Sequence, residues 1–265
     1  EFIAKMVSVF REVRRVLRED GTLWLNLGDS YNAKPNQRGI DDITGSKQAT
    51  NVGSRSAPSR NVPDLKPKDL VGIPWRVAFA LQSDGWYLRQ DIIWHKPNPM
   101  PESVTDRCTK SHEYLFLLAK SERYHWDAAA MREPSVTSDV RRPYASEGAW
   151  SIDGRAESMR HGGEARTSSD AGVTRNRRSV WTITTKPFDG AHFATFPPEL
   201  ITPCVRASCP PGGIVLDPFA GAGTTGLVAA KEGANFVGIE INPKYVEIAR
   251  RRIAAEAAQG KLEFI

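Results

Sequence analysis

The run from Ile214 to Ala258, IVLDPFAGAGTTGLVAAKEGANFVGIEINPKYVEIARRRIAAEAA, constrains the fold more than any other part of the chain. A short apolar stretch, Ile214–Leu216, reads as a buried strand that delivers the backbone to G-A-G-T-T-G at 221–226. Helical spacing resumes over Thr225–Glu232, a second strand is predicted at Phe236–Ile241, and Pro243 opens a long helix to about Ala258. Strand, glycine turn, helix, strand and helix in that order make a βαβ unit with its ligand-binding edge at the glycines. The match to G-x-G-x-x-G does not name the ligand, because any group approaching the backbone closely at such a turn asks for glycine.

The remaining chain reads as a second α/β half. Residues 2–17 place Ile3, Met6, Val7, Phe10, Val13 and Leu17 at helical spacing, with no N-cap signal ahead of them. Thr22–Tyr31 is an apolar strand broken at Gly28-Asp29-Ser30; Pro74–Leu81 is helical; Tyr87–Trp94 and Glu113–Ala119 are strands. A helix is expected at Pro198–Ala207. The expected fold is α/β and Rossmann-like with a mostly parallel sheet. Three regions are expected: residues 1–133, containing a long loop at 34–70; a polar, arginine-bearing insertion at 134–180; and residues 181–265, which hold the glycine turn.

Composition excludes several classes. The chain of 265 residues carries 36 Lys and Arg against 31 Asp and Glu, a formal charge of +5 that fits a polyanionic partner. Its three cysteines form no C-x-x-C pair, and with five scattered histidines they make no zinc set, so no metal is expected. No apolar run approaches a membrane span of about 20 residues, so no membrane contact is expected, and the three cysteines read as reduced thiols of a cytoplasmic protein.

The neighbours of the glycines narrow the ligand. Asp217-Pro218-Phe219 puts a carboxylate beside the turn, which repels a diphosphate and suits an ammonium or sulfonium. Thr224 and Thr225 offer hydroxyls on the first helical turn, and Glu240 ends the second strand where it can meet a ribose. An adenosine cofactor with a sulfonium and an amino-acid tail, S-adenosylmethionine, fits these groups better than a dinucleotide.

The stretch 217–252 resembles the cofactor motifs of the DNA amino-methyltransferases, which modify N6 of adenine or N4 of cytosine. His192-Phe193-Ala194-Thr195-Phe196-Pro197 is similar to the family segment that closes over the methionine end of the cofactor. Trp94-His95-Lys96-Pro97-Asn98-Pro99 is similar to the target-base loop, and Leu25–Ser30 to the strand end beside the catalytic motif. Target-base elements first and cofactor half last is the order of the family's β group.

The resemblance implies cofactor contacts from His192, Phe193, Thr195, Pro197, Asp217, Pro218, Phe219, Gly221, Gly223, Thr224, Thr225, Glu240 and Asn242. It implies contacts to the base or to double-stranded DNA from Lys96, Asn98, Pro99, Arg141, Arg142, Arg175, Arg177 and Arg178, with base flipping, and it leaves the catalytic residues to the absent motif with support from Asp29. The setting it implies is a bacterial or phage restriction-modification enzyme; a homodimer is left open.

The family's catalytic Ser/Asp-Pro-Pro-aromatic motif does not occur in this sequence, whose Pro-Pro pairs are Pro197-Pro198 and Pro210-Pro211. The expectation is that the motif precedes residue 1 and that the chain is an incomplete, inactive version of the enzyme. Methylation of cytosine N4 is favoured slightly over adenine N6. Two alternatives stand beside this reading: an NAD-dependent oxidoreductase, and a DNA-binding relative that has lost catalysis.

Overall fold

The computed structural model describes residues 1–32, 62, 64–134, 174–186 and 195–259. Helix α1 (Phe2–Val16) buries Met6, Phe10 and Val13, the stripe expected from their spacing. After the turn at Gly21 come β1 (Thr22–Leu27), α2 (Ile73–Ser83), β2 (Tyr87–His95) and β3 (His112–Ala119). Three short strands follow: β4 (Arg132–Pro134), β5 (Thr174–Asn176) and β6 (Val180–Thr182). The last part is α3 (Pro198–Ser208), β7 (Ile214–Asp217), α4 (Thr224–Lys231), β8 (Asn235–Gly238) and α5 (Pro243–Gln259).

The larger sheet has the order β1-β3-β2-β6. Strand β3 is antiparallel to both β1 and β2, while β6 is parallel to β2. Strands β7 and β8 form a separate parallel pair joined through α4. The Rossmann-like α/β class is as expected, but the pairing is mixed rather than mostly parallel. The reason is local: the connection from β2 to β3 contains no helix to carry the chain back across the sheet, so β3 returns antiparallel and inserts between two parallel strands.

Two apolar clusters fix the layers. On one side of the sheet, α1 and α2 pack Phe10, Val77, Ala78 and Leu81 against Leu25, Phe116 and Leu118. On the other, Ile92, Trp94 and Leu115 meet Trp181 together with Leu200 and Cys204 of α3. The second cluster thereby joins the two halves of the sequence. Strands β4 and β5 pair from Arg132↔Asn176 to Pro134↔Thr174, which places residues 134 and 174 side by side. Among the described residues, no helix is long and apolar enough to cross a membrane.

Candidate functional site

The glycine turn is built as its sequence requires. Gly221 and Gly223 have φ of 51° and 77°, conformations that disfavour any side chain. At Gly223 there is a second requirement, since a Cβ would lie 2.6 Å from the Cβ of Ala249 in α5. Gly226 is equally confined, with a hypothetical Cβ 2.4 Å from Ile253 and 2.6 Å from Phe236. The glycines therefore serve both the turn and the close packing of α4 on α5 and β8.

Glu240 crosses this turn. Its carboxylate accepts from the Gly221 backbone N–H at 2.9 Å and from the Asn242 N–H at 2.8 Å, leaving lone pairs on both oxygens. Asp217, at the end of β7, accepts from the Phe219 N–H at 2.9 Å and from the Thr225 hydroxyl. Thr224 is buried and faces Arg252, whose guanidinium also donates to the Ala222 carbonyl at 2.5 Å. Both threonine hydroxyls thus have intramolecular partners. Asn242 caps α5 through its side-chain oxygen on the Lys244 N–H at 3.0 Å.

Apolar surface flanks the acids. Phe219 is 57% exposed and Ile239 58%, and the Ile239 carbonyl accepts from the Ala220 N–H at 3.0 Å, holding the two segments side by side. Phe219 also meets Phe10 of α1 edge-on, with ring centroids 6.3 Å apart. Pro218, between Asp217 and Phe219 in the chain, is part-buried. Ahead of α3, Thr195 is part-buried and Pro197 is buried at the helix N-cap. His192 and Phe193 lie outside the described residues.

At the other half, the strand ends gather a second polar group. The Lys96 ammonium pairs with the Glu113 carboxylate and sits 4.2 Å from the centre of the Trp94 ring. The other oxygen of Glu113 accepts from the Asn26 amide at 3.1 Å. The amide of Asn98 donates to the Thr185 carbonyl at 3.1 Å, and the Thr185 N–H donates back to the Asn98 side-chain oxygen at 3.0 Å. Pro99 is part-buried beside this clip, and Met100 projects at 85% exposure. Sequence reasoning missed Glu113 and Asn26, although an asparagine inside an otherwise apolar strand was a visible signal.

Asp29 has a structural role here. Its carboxylate is 2% exposed and accepts from the N–H groups of Ser30 and Ile73, the latter the first residue of α2. It lies 3.7 Å from the Lys110 ammonium. The arginines of the insertion boundary are also engaged. Arg175 and Arg178 both donate to Glu133 at 2.9 Å, and Arg177 stacks 4.5 Å above the Trp181 ring. Burial pushes the Glu133 carboxyl upwards, but the two guanidinium bonds outweigh it and hold the group below its usual range. Arg141 and Arg142 lie outside the described residues.

Comparison with solved structures identifies the fold as a Rossmann-like α/β fold. PvuII DNA methyltransferase (cytosine-N4-specific) superposes with a TM-score of 0.62 at 17% identity, over 98% of this chain and 76% of the other. A DNA modification methylase from Thermus thermophilus, solved with S-adenosyl-L-methionine, gives 0.56 at 22% identity, over 97% and 78%. The family follows from the sequence: residues 1–251 match the N6/N4 methyltransferase family, DNA methylase, and the chain belongs to it. Type II methyltransferase M.XycI from Xanthomonas campestris pv. cyanopsidis is 48% identical over 97% of this chain and 72% of its own length. M.Cfr9I from Citrobacter freundii is 48% identical over the same shares.

Proposed function

We propose that the protein transfers a methyl group from S-adenosylmethionine to an exocyclic amine of a base in double-stranded DNA, with cytosine N4 ahead of adenine N6. The observation that carries this reading is Glu240 bonded across the glycine turn to Gly221. An acid fixed there, with free lone pairs and flanked by exposed Phe219 and Ile239, suits a ribose and the adenine attached to it. When bound, the cofactor supplies an electrophilic methyl on a sulfonium.

Asp217, held by Thr225 and the Phe219 amide, keeps negative charge beside the turn. That charge favours a cationic sulfonium and ammonium over a diphosphate, and so weighs against an NAD-dependent oxidoreductase. The loop bearing Lys96, Asn98 and Pro99 faces the base in this proposal, with the base extruded from the duplex. Arg141, Arg142, Arg175, Arg177 and Arg178 are retained as proposed DNA contacts, the last three from positions that also pair with Glu133 or stack on Trp181.

The relatives support a role in a restriction-modification system, as their designation as Type II methyltransferases would have it. The likeness to a cytosine-N4-specific enzyme agrees with the lean towards N4 but rests on fold. The test is incubation of the full-length gene product, with any upstream segment that carries the Ser/Asp-Pro-Pro-aromatic motif, with methyl-labelled cofactor and duplex DNA, followed by nucleoside chromatography. Label in N4-methylcytosine is expected; label in N6-methyladenine corrects the target, and absence of label with the full-length gene product favours the DNA-binding alternative. Stabilisation by NAD but not by S-adenosylhomocysteine would instead support the oxidoreductase.

A further inference from the structure

We infer that a recess between the last turns of α1, the end of α2 and the end of β3 is a binding site for a tetrahedral oxyanion of the phosphate class, with Arg14 as its central ligand. The recess measures about 300 Å³ and is lined by Arg11, Arg14, Arg15, Asp84 and Lys120. Four cations surround one carboxylate. The spacing i, i+3, i+4 on α1 puts the three arginines on one helical face.

The acid already has a partner. Arg11 grips Asp84 through its Nε at 2.7 and 3.0 Å from the two oxygens, so Asp84 adds little repulsion towards an incoming anion. Arg15 pairs outwards with Glu12 at 2.7 Å, both side chains being more than two-thirds exposed. Lys120 donates to the Leu17 carbonyl at 2.7 Å and meets Glu19 at 2.9 Å, an acid 85% exposed and easily exchanged for water.

Arg14 differs from the others. Its Nη2 donates to the Lys120 carbonyl at 3.3 Å, while its Nε is buried without a hydrogen-bond partner. Among the described residues, no carboxylate lies within ion-pair distance of it. A place near the end of α1 favours a cation there through the helix dipole, but the bond that Arg14 makes is to Lys120 rather than to α1. A half-buried guanidinium without a carboxylate partner among the described residues, next to an ammonium, matches the paired oxygens of a phosphate group.

The recess is separate from the proposed transfer site. Thr22 and Tyr87, the first residues of β1 and β2, both lie level with Ala119, whereas Lys96 and Glu113 lie towards the opposite end of the same sheet. Two sources share the required chemistry: a phosphodiester of nucleic acid and a free phosphate.

The test uses the whole chain and inorganic phosphate, with chloride at matched ionic strength as the reference. Saturable thermal stabilisation by phosphate is expected, weakened about tenfold or more in Arg14→Gln. Arg15→Gln, a change at an exposed position, is expected to weaken it by about threefold and covers the case in which the Arg14 variant does not fold. Stabilisation equal to that by chloride, or unchanged in these folded variants, overturns the site. A short duplex that displaces phosphate, followed by phosphorus NMR, assigns a phosphodiester; failure to displace it assigns free phosphate. Arg14→Gln is expected to keep its response to S-adenosylhomocysteine, so this site and the proposed cofactor site fail or succeed independently.

Discussion

Asn98 and Thr185 are joined by two hydrogen bonds running in opposite directions, amide to carbonyl and backbone N–H to side-chain oxygen. This clip fastens the proline-rich loop after β2 to the segment after β6. Asn98→Ala is expected to cost about 0.5–1.5 kcal/mol of stability, as exposed neutral hydrogen bonds do. Hydrogen exchange should accelerate at Thr185, while affinity for S-adenosylhomocysteine changes by less than about twofold.

Gly221 and Gly223 separate two reasons for glycine. A Cβ at Gly221 meets only the Phe219 carbonyl at 3.9 Å, whereas one at Gly223 would strike Ala249. Gly221→Ala should therefore cost about 1 kcal/mol from its positive φ alone. Gly223→Ala adds a clash and should cost about 2–4 kcal/mol, measured by urea unfolding. Near-equal losses would mean that α5 yields freely.

Glu240→Gln keeps the shape of the side chain but replaces one acceptor oxygen by an N–H donor. One of the two bonds to Gly221 and Asn242 must then be lost. Binding of S-adenosylhomocysteine should weaken by about tenfold, with calorimetry as the measurement.

The Arg11 guanidinium, chiefly through its hydrogen bond, holds the Asp84 carboxyl below its usual range. A carboxyl lowered on folding contributes stability above its unfolded value, near 4, and loses it as pH falls through the lower folded value. The gap in stability between the native protein and Asp84→Asn should thus be open at neutral pH and narrow in acid. Unfolding curves across that range give the answer.

The cysteines should react in order of access. Cys108 is exposed, Cys209 is intermediate, and Cys204 is buried, with burial pushing its thiol far upwards. Alkylation of the native protein at mildly alkaline pH should label Cys108 first and Cys204 only after unfolding, as mass spectrometry would record.

Much of the fold was legible because its signals are periodic. The apolar positions of α1, the punctuation at Asp84-Gly85 and the glycine turn each express one local rule, and the corresponding elements fall within a few residues of expectation. The short strands β4, β5 and β6 were not legible, since three residues carry no period and exist by pairing with distant partners. The same limit applies to the sites. Glycines and acids at strand ends announced the turn, but the actual partners of Thr224, Asp29 and Arg175 depend on Arg252, Ile73 and Glu133, far away in sequence.

The position of β3 between β1 and β2 has a consequence for how the chain acquires its structure. In the described sheet, β1 pairs with β3, and that pairing waits until residues 112–119 have left the ribosome. Such distant pairing slows folding, because the ordering entropy precedes the contacts that offset it. A nascent chain halted before His112 would hold β1 and β2 without the strand that makes them neighbours. The sheet therefore closes from its middle, and late.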